Sequence, residues 1–316
     1  MKLLRLFLSP AVFGKKQLIY IYEKIYRYIY YLIIISLFKV AQLLPYKTAV
    51  KFGGFLGLVA YYVIKVSREP AIINLKNSFP EKSPEEIRLL AKNIGVKTGK
   101  NIFEFLYYPK LSSADLGRIV EIENENILAD AVKKGKGVLL ASAHCGNWEF
   151  LGAAMASKGY PVNVIAKKSY LDRGNKMLLN FRISKGLKII FRDQSDTARK
   201  MLKALKNGEI LALLIDQDTS VPGVFVNFFS RLAWTPSGLA TLALKTEAKV
   251  VLALDARLPD DRHKVVITPI EISKTGNFEN DVLKNTQHVT SLIENHIRQY
   301  PDQWVWWHKR WKTRPS

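Results

Sequence analysis

His144 and Glu149 stand five residues apart in His144-Cys145-Gly146-Asn147-Trp148-Glu149, directly after the apolar run Gly137-Val138-Leu139-Leu140-Ala141-Ser142-Ala143. An imidazole titrates near neutrality and can take a proton from a hydroxyl, while a carboxylate on its other nitrogen would fix the tautomer and stabilise the imidazolium. On one continuous helix the two side chains would diverge by about 140°, at about 100° per residue. The spacing therefore predicts His144 in a loop and Glu149 in the first turn of the helix that follows. Gly146 permits the bend, and Asn147 suits the cap of a helix running to Ser157. The plain alternative is a structural histidine beside a buried strand.

Other residues bear chemistry. Arg182 offers a planar fork of donors for a phosphate or a developing oxyanion, and the backbone amides near Gly146 and Asn147 offer further donors; alone, Arg182 reads more readily as a solvated helix residue. Lys167 and Lys168 can add positive charge for phosphates or an acidic carrier protein. Asp216-Gln217-Asp218 could hold Mg²⁺ or Mn²⁺ against a nucleotide diphosphate, as in a metal-dependent glycosyltransferase, or form a turn whose aspartates cap backbone amides. Cys145 is the only cysteine, which excludes an intrachain disulfide and a multi-cysteine metal site. Beside His144 it invites a thiolate-nucleophile reading, against which stands the commoner small buried thiol.

From residue 137 onward short apolar runs alternate with amphipathic stretches: 137–143, 147–158, 161–166, 172–184, 187–191, 195–207, 210–215, 235–247 and 249–254. That alternation predicts an α/β fold with a largely parallel, doubly wound sheet flanked by helices. Val265-Val266-Ile267 adds an edge strand and Asn280 to Tyr300 a closing helix. Upstream, Ser83-Pro84-Glu85-Glu86 starts a helix expected to end near Gly99, with another over Lys100 to Tyr108. The ends of parallel strands share one edge of the sheet, so His144 and Asp216 can meet there despite their separation.

Lys and Arg number 48 against 27 Asp and Glu, a formal charge of +21. Such an excess implies anionic partners. Nucleic acid is disfavoured, because zinc-finger spacing, RNP aromatics and basic-region heptads are all missing. The aromatics lie instead among aliphatics near the N-terminus and in the group Trp304, Trp306, Trp307 and Trp311, which suits either a membrane-interface belt or packing under the closing helix. Tyr28 to Phe38 is uncharged for eleven residues. With Lys39 tolerated, the apolar stretch to Pro45 approaches the roughly 20 residues a span needs, whereas Phe52 to Ile64 falls short. The apolar region begins late for a signal peptide and has no small-residue cleavage site after it. Residues 1–66 are expected to be a membrane-anchoring helical region lodged in the cytoplasmic leaflet, and 67–316 the α/β domain.

Several motifs, in order, carry a resemblance. They are Asn74-Leu75 with Ser78-Phe79-Pro80; His144-x4-Glu149; Arg182 in Leu179-Asn180-Phe181-Arg182; Asn207-Gly208-Glu209 leading to Leu214-Ile215-Asp216; and the tail from Pro301-Asp302-Gln303-Trp304 through Trp307-His308-Lys309-Arg310 to Pro315. The chain resembles the bacterial lipid A late acyltransferases, within the wider glycerolipid-type acyltransferases and their histidine-x4-acid (HX4E) signature. Arg182 sits where that family has an essential arginine, with Arg173 and Arg192 as alternative counterparts.

The resemblance implies transfer of a fatty acyl chain from an acyl-acyl carrier protein to a hydroxyl of an acylated lipid A precursor, at the inner membrane, without metal or cofactor. Another glycolipid or a lysolipid stays open as acceptor. His144 and Glu149 would be catalytic, with Arg182, Asp216, Gly146, Asn147 and Lys167 binding substrate or oxyanion. Two rivals differ in class: the metal-dependent glycosyltransferase using Asp216 and Asp218, and a noncatalytic binder of anionic membranes.

Overall fold

The computed structural model describes residues 15–167 and 172–315. Lys2 and Arg5 of the basic N-terminal tail, and Lys168, lie outside the described residues, as does the side chain of Arg173.

Among the described residues, a seven-stranded sheet runs in the order β1 (Val120–Glu123), β9 (His263–Ile270), β8 (Lys249–Arg257), β2 (Val138–Ser142), β5 (Ile210–Leu214), β3 (Val162–Ala166) and β4 (Lys188–Phe191). The five strands from β8 to β4 are mutually parallel; β9 is antiparallel to β8, and β1 runs with β9. The expected mostly parallel sheet is present. The strand at Val265, however, is not an edge: β1, a four-residue segment whose Val-Glu-Ile-Glu alternation is too short to stand out, covers it.

Central β2 is buried along its whole length, as a parallel strand covered on both faces must be. Its alternate residues feed two cores. Leu139 and Ala141 pack beneath α10 (Gly238–Lys245) and α11 (Phe278–Gln299), while Val138 and Leu140 pack beneath α7 (Trp148–Ser157). Helix α5 (Ser113–Ile119) leads into β1, helices α6 (Glu125–Lys133), α8 (Asp172–Ser184) and α9 (Thr197–Lys206) connect strands, and a separate antiparallel hairpin joins β6 (Gly223–Phe228) to β7 (Arg231–Pro236). The first two residues of the helix expected over 235–247 are therefore strand, and the helix begins at Gly238.

Ahead of α5, the described residues form the helices α1 (Lys15–Leu43), α2 (Tyr46–Val63), α3 (Lys65–Ser78) and α4 (Pro84–Tyr107). The start of α4 is a capping box in which the Glu86 amide donates to Ser83 Oγ at 3.2 Å and the Ser83 amide to Glu86 Oε2 at 2.8 Å. The break expected at Gly99 does not occur. That glycine serves contact rather than termination: a Cβ on it would lie 2.1 Å from the Gly53 carbonyl oxygen, and one on Gly57 2.1 Å from that of Gly95. Helices α2 and α4 thus meet backbone to backbone.

No single described helix is long and apolar enough to cross a membrane, whereas α2 and α3, bent by 87° at Ile64, reach that length and composition together. Their outer side bears Phe55, Val63, Ile64 and Val66, the last 85% exposed.

The α2–α4 contact makes a paired prediction. Gly57→Ala forces a methyl into backbone that cannot retreat, and should destabilise by about 1–3 kcal/mol. Gly117→Ala, in exposed helix with nothing within 4 Å of the added Cβ, should instead stabilise by about 0.5–1 kcal/mol. Unfolding midpoints of the two variants check the opposite signs.

Candidate active site

The register of the central strands sets the site. Ser142 of β2 pairs with Leu214 of β5, so His144 and Asp216, each two residues further on, emerge at one level of the sheet edge. Asp216 grips the histidine twice: its Oδ2 accepts from the His144 amide at 2.9 Å, and its Oδ1 lies 2.8 Å from His144 Nδ1. Trp304 Nε1 donates to the same Oδ2 at 2.7 Å. Burial alone would push the Asp216 carboxyl up, but the His144 imidazole and these hydrogen bonds outweigh it and lower its pKa to about 2. An ionised carboxylate accepts from Nδ1, so in the neutral form of the ring Nε2 is the acceptor.

Glu149 does lie in the first turn of α7, whose cap is Asn147, with the Phe150 amide donating to Asn147 Oδ1 at 3.3 Å. It is nevertheless not the carboxylate on the imidazole. Its side chain turns to α8, where Arg182 donates through Nε to Oε2 at 2.9 Å and through Nη2 to Oε1 at 2.5 Å, a bidentate pair. Arg182 is thereby distinguished from Arg192, which faces Asp193 at 3.7 Å. The two backbone amides expected to face an oxyanion are both engaged within the protein. Gly146 N donates to the Gln303 carbonyl at 2.9 Å and Asn147 N to Asp255 Oδ2 at 2.5 Å. Gly146 itself sits at φ +54°, and a Cβ there would lie 2.2 Å from Asp255 Oδ2.

Two cavities meet at this point. One, of about 340 Å³, extends from His144 and Trp148 between α1 and α4, past Ile34, Leu37, Ile102 and Phe105. The other, of about 350 Å³, runs beneath the sheet edge past Leu140, Gly152, Val164 and Ala212, with Lys167 on its lining. His144, Trp148, Glu149, Leu178 and Arg182 border both.

A family model described as bacterial lipid A biosynthesis acyltransferase matches residues 20–313. The chain belongs to that family. It is similar to the lipid A biosynthesis lauroyltransferase of Escherichia coli K12, at 27% identity over 86% of this chain and 88% of the relative. It is also similar to the lipid A biosynthesis palmitoleoyltransferase of that organism, at 25% over 86% and 87%, and to a phosphatidylinositol mannoside acyltransferase of Mycolicibacterium smegmatis, at 22% over 64% and 66%. The chain is an acyltransferase.

In the acyltransferase, Asp216 and Asp218 do not converge on a common point. Asp218 is held by the C-terminal segment, its Oδ2 accepting from the Thr313 amide at 2.9 Å and its Oδ1 from Thr313 Oγ1 at 3.0 Å. No cluster of three metal-ligating side chains occurs among the described residues. The Cys145 thiol is buried beside Asp216 and Asp255, and burial with those carboxylates pushes its pKa well up, opposite to what a thiolate nucleophile needs. The terminal tryptophans are not an exposed belt. Trp304, Trp306 and Trp311 are buried, and only Trp307 of the four reaches the first cavity's lining beyond Trp304.

Reading the sequence missed the partners of the turn, Asn101, Glu104, Asp255, Arg257 and Gln303. The one visible signal of Glu104, Asp255 and Arg257 was charge inside segments that otherwise read as buried helix or strand; Asn101 and Gln303 gave none.

The depressed pKa of Asp216 carries a sign. Its contribution to stability is complete above the ordinary value of 3.8 and is lost as pH falls through about 2. Over a fall from about pH 5 to pH 2, wild type should lose about 2 kcal/mol more than Asp216→Asn. Unfolding free energies compared across that range check it.

Proposed function

We propose that this acyltransferase moves a fatty acyl chain from the thioester of an acyl-acyl carrier protein to a hydroxyl of an acylated lipid A precursor. The observation carrying the reading is the meeting at His144 of two cavities, one largely apolar and the other lined by aliphatic residues together with Lys167, Glu149 and Arg182. A two-substrate transfer between acyl chains needs that shape, and a one-lipid hydrolase or a surface binder does not. The cavity beside α1 suits the acceptor, which comes from the membrane. The one with Lys167 at its lining suits the donor chain, brought by an acidic carrier.

His144 Nε2 takes the hydroxyl proton as the oxygen attacks the thioester carbonyl. Asp216 keeps the tautomer and stabilises the imidazolium. As the tetrahedral intermediate collapses, the C–S bond breaks and the imidazolium returns its proton to the departing thiolate. Glu149 holds the guanidinium of Arg182 at the junction of the cavities, where its remaining N–H groups face the developing oxyanion or an acceptor phosphate. Glu149 thus acts through Arg182 rather than through the imidazole. No covalent enzyme intermediate and no metal enter these steps.

Residues 1–66 anchor the protein on the cytoplasmic face of the inner membrane in this reading. The charge of +21 and the exposed apolar side of α2 and α3 support it, since insertion and attraction to anionic headgroups add.

His144→Ala should lower kcat by about 10²–10⁴ in a folded protein. Glu149→Gln and Arg182→Ala should each lower it, and the two together little more than either alone, because they work as a pair. Multiplicative losses for Glu149 and Arg182, measured with a radiolabelled donor, would rule that pairing out.

Salt screens charge beyond about 8 Å but leaves apolar insertion intact. The full-length protein should therefore stay with membranes through a high-salt wash, and joint replacement of Phe55, Val63 and Val66 by serine should weaken that retention. Release of wild type by salt alone would reduce the anchor to electrostatics.

A further inference from the structure

Beneath the Cys145-Gly146-Asn147 turn lie four charged side chains that the steps above do not use: Glu104 of α4, Asp255 and Arg257 of β8, and His263 of β9. All are buried, none more than 5% exposed. They form one connected chain. Asp255 Oδ2 lies 2.8 Å from His263 Nδ1, and His263 Nε2 lies 3.2 Å from Glu104 Oε1. Arg257 donates to Glu104 Oε1 at 2.8 Å through Nη1 and to Oε2 through Nη2. Burial opposes charge on His263, but the carboxylates of Asp255 and Glu104 more than offset it and raise its pKa to about 9. Two anions and two cations therefore balance.

The connected set grips the turn at every side. Asp255 Oδ2 takes the Asn147 amide at 2.5 Å, Glu104 Oε2 takes the Asn147 side-chain Nδ2 at 2.8 Å, and Asn101 donates to the Gly146 carbonyl at 2.5 Å while accepting from Arg257 Nη2 at 2.6 Å. Strand register explains the placement. Ala141 pairs with Leu252, so Asp255 stands on β8 at the level of His144 on β2, and Arg257 faces His263 across the β8–β9 ladder. Apolar residues of similar volume commonly match or exceed a buried ion network in stability. What they cannot supply is an acceptor for the Asn147 amide and side chain.

We propose that Asp255, His263, Glu104 and Arg257 are one positioning unit, which locks the Gly146–Asn147 turn and through it aims the His144 imidazole between the two cavities. The proposal rests on the reading of His144 as general base. Nothing in the unit touches the reacting atoms. Its loss moves the base, and displacement of a catalytic group by about 1 Å costs on the order of 10²-fold in rate.

The test uses the full-length protein in lipid–detergent micelles, a radiolabelled acyl-carrier thioester and an acylated disaccharide acceptor. Asp255→Asn, His263→Gln and Asn101→Ala are each made alone and in a His144→Ala background. Expected are folded proteins in which kcat falls about 10²-fold, KM for both substrates holds, and the loss vanishes in the His144→Ala background. Asn101→Ala leaves the buried charges in place, so it decides the matter where the other two fail to fold. Wild-type kcat in folded variants overturns the proposal, as does an equal loss without His144, which would mean a general weakening of the structure. Should His144→Ala itself retain full activity, the base reading fails first and takes this proposal with it.

Discussion

A parallel sheet delivers the ends of its strands to one edge, and the height at which each residue leaves that edge is set by hydrogen-bond register alone. Here Ser142 opposite Leu214 puts His144 level with Asp216 on one side, and Ala141 opposite Leu252 puts it level with Asp255 on the other. One pairing thus gives the imidazole its carboxylate, and the other gives the turn its anchor. Slipping either ladder by one residue would send every affected side chain to the opposite face and dismantle both arrangements. The helices and the C-terminal segment add to this frame without being able to replace it.

The C-terminal segment shows how completely the frame is closed. Trp304 donates to Asp216, the Gln303 carbonyl accepts from Gly146 N, and Gln303 exchanges hydrogen bonds with the Arg257 backbone through Oε1 at 2.7 Å and Nε2 at 3.0 Å. Lys97 on α4 meets Asp302 at 2.8 Å. A stretch distant in sequence therefore supplies a wall of the site and part of its hydrogen-bond network. This accounts for a tryptophan-rich tail that is buried: indole here fills volume, while the N–H groups of Trp304 and Trp306 find defined acceptors in Asp216 and the Pro301 carbonyl.

Periodicity made the strands from 138 to 254 legible, since a short apolar run set between amphipathic helices fits a strand buried on both faces and little else. It failed where the local signal was weak or misleading. The hairpin of β6 and β7 turns on Phe229 and Ser230, both at positive φ, where Asn or Gly would have announced a turn. Gly99 reads as a helix stop and is instead the point where α4 admits the backbone of α2. At the site, His144 and Glu149 stood out because a short spacing joined them, and the helix cap at Asn147 followed from residue type. Their partners did not follow, because a carboxylate can be assigned to an imidazole only once register is known. The nearest acid in sequence, Glu149, was five residues away and the true contact, Asp216, 72.

The same gap hid the positioning unit. Glu104 lies 153 residues from Arg257 and 159 from His263, and each is an isolated charge in a segment that otherwise reads as buried helix or strand. Buried together they make sense only as a set, because removing any one leaves an uncompensated charge in low dielectric, where a lone charge costs several kcal/mol. Such a set tolerates little motion. Rigidity of this kind, beneath a turn whose glycine has no room for a Cβ, is what the proposed general-base role of His144 requires of its ring. Apolar walls carry no donors or acceptors with which to orient an imidazole, so the direction of the His144 ring is held by Asp216 on the ring itself and, in our proposal, by the charged residues below the turn.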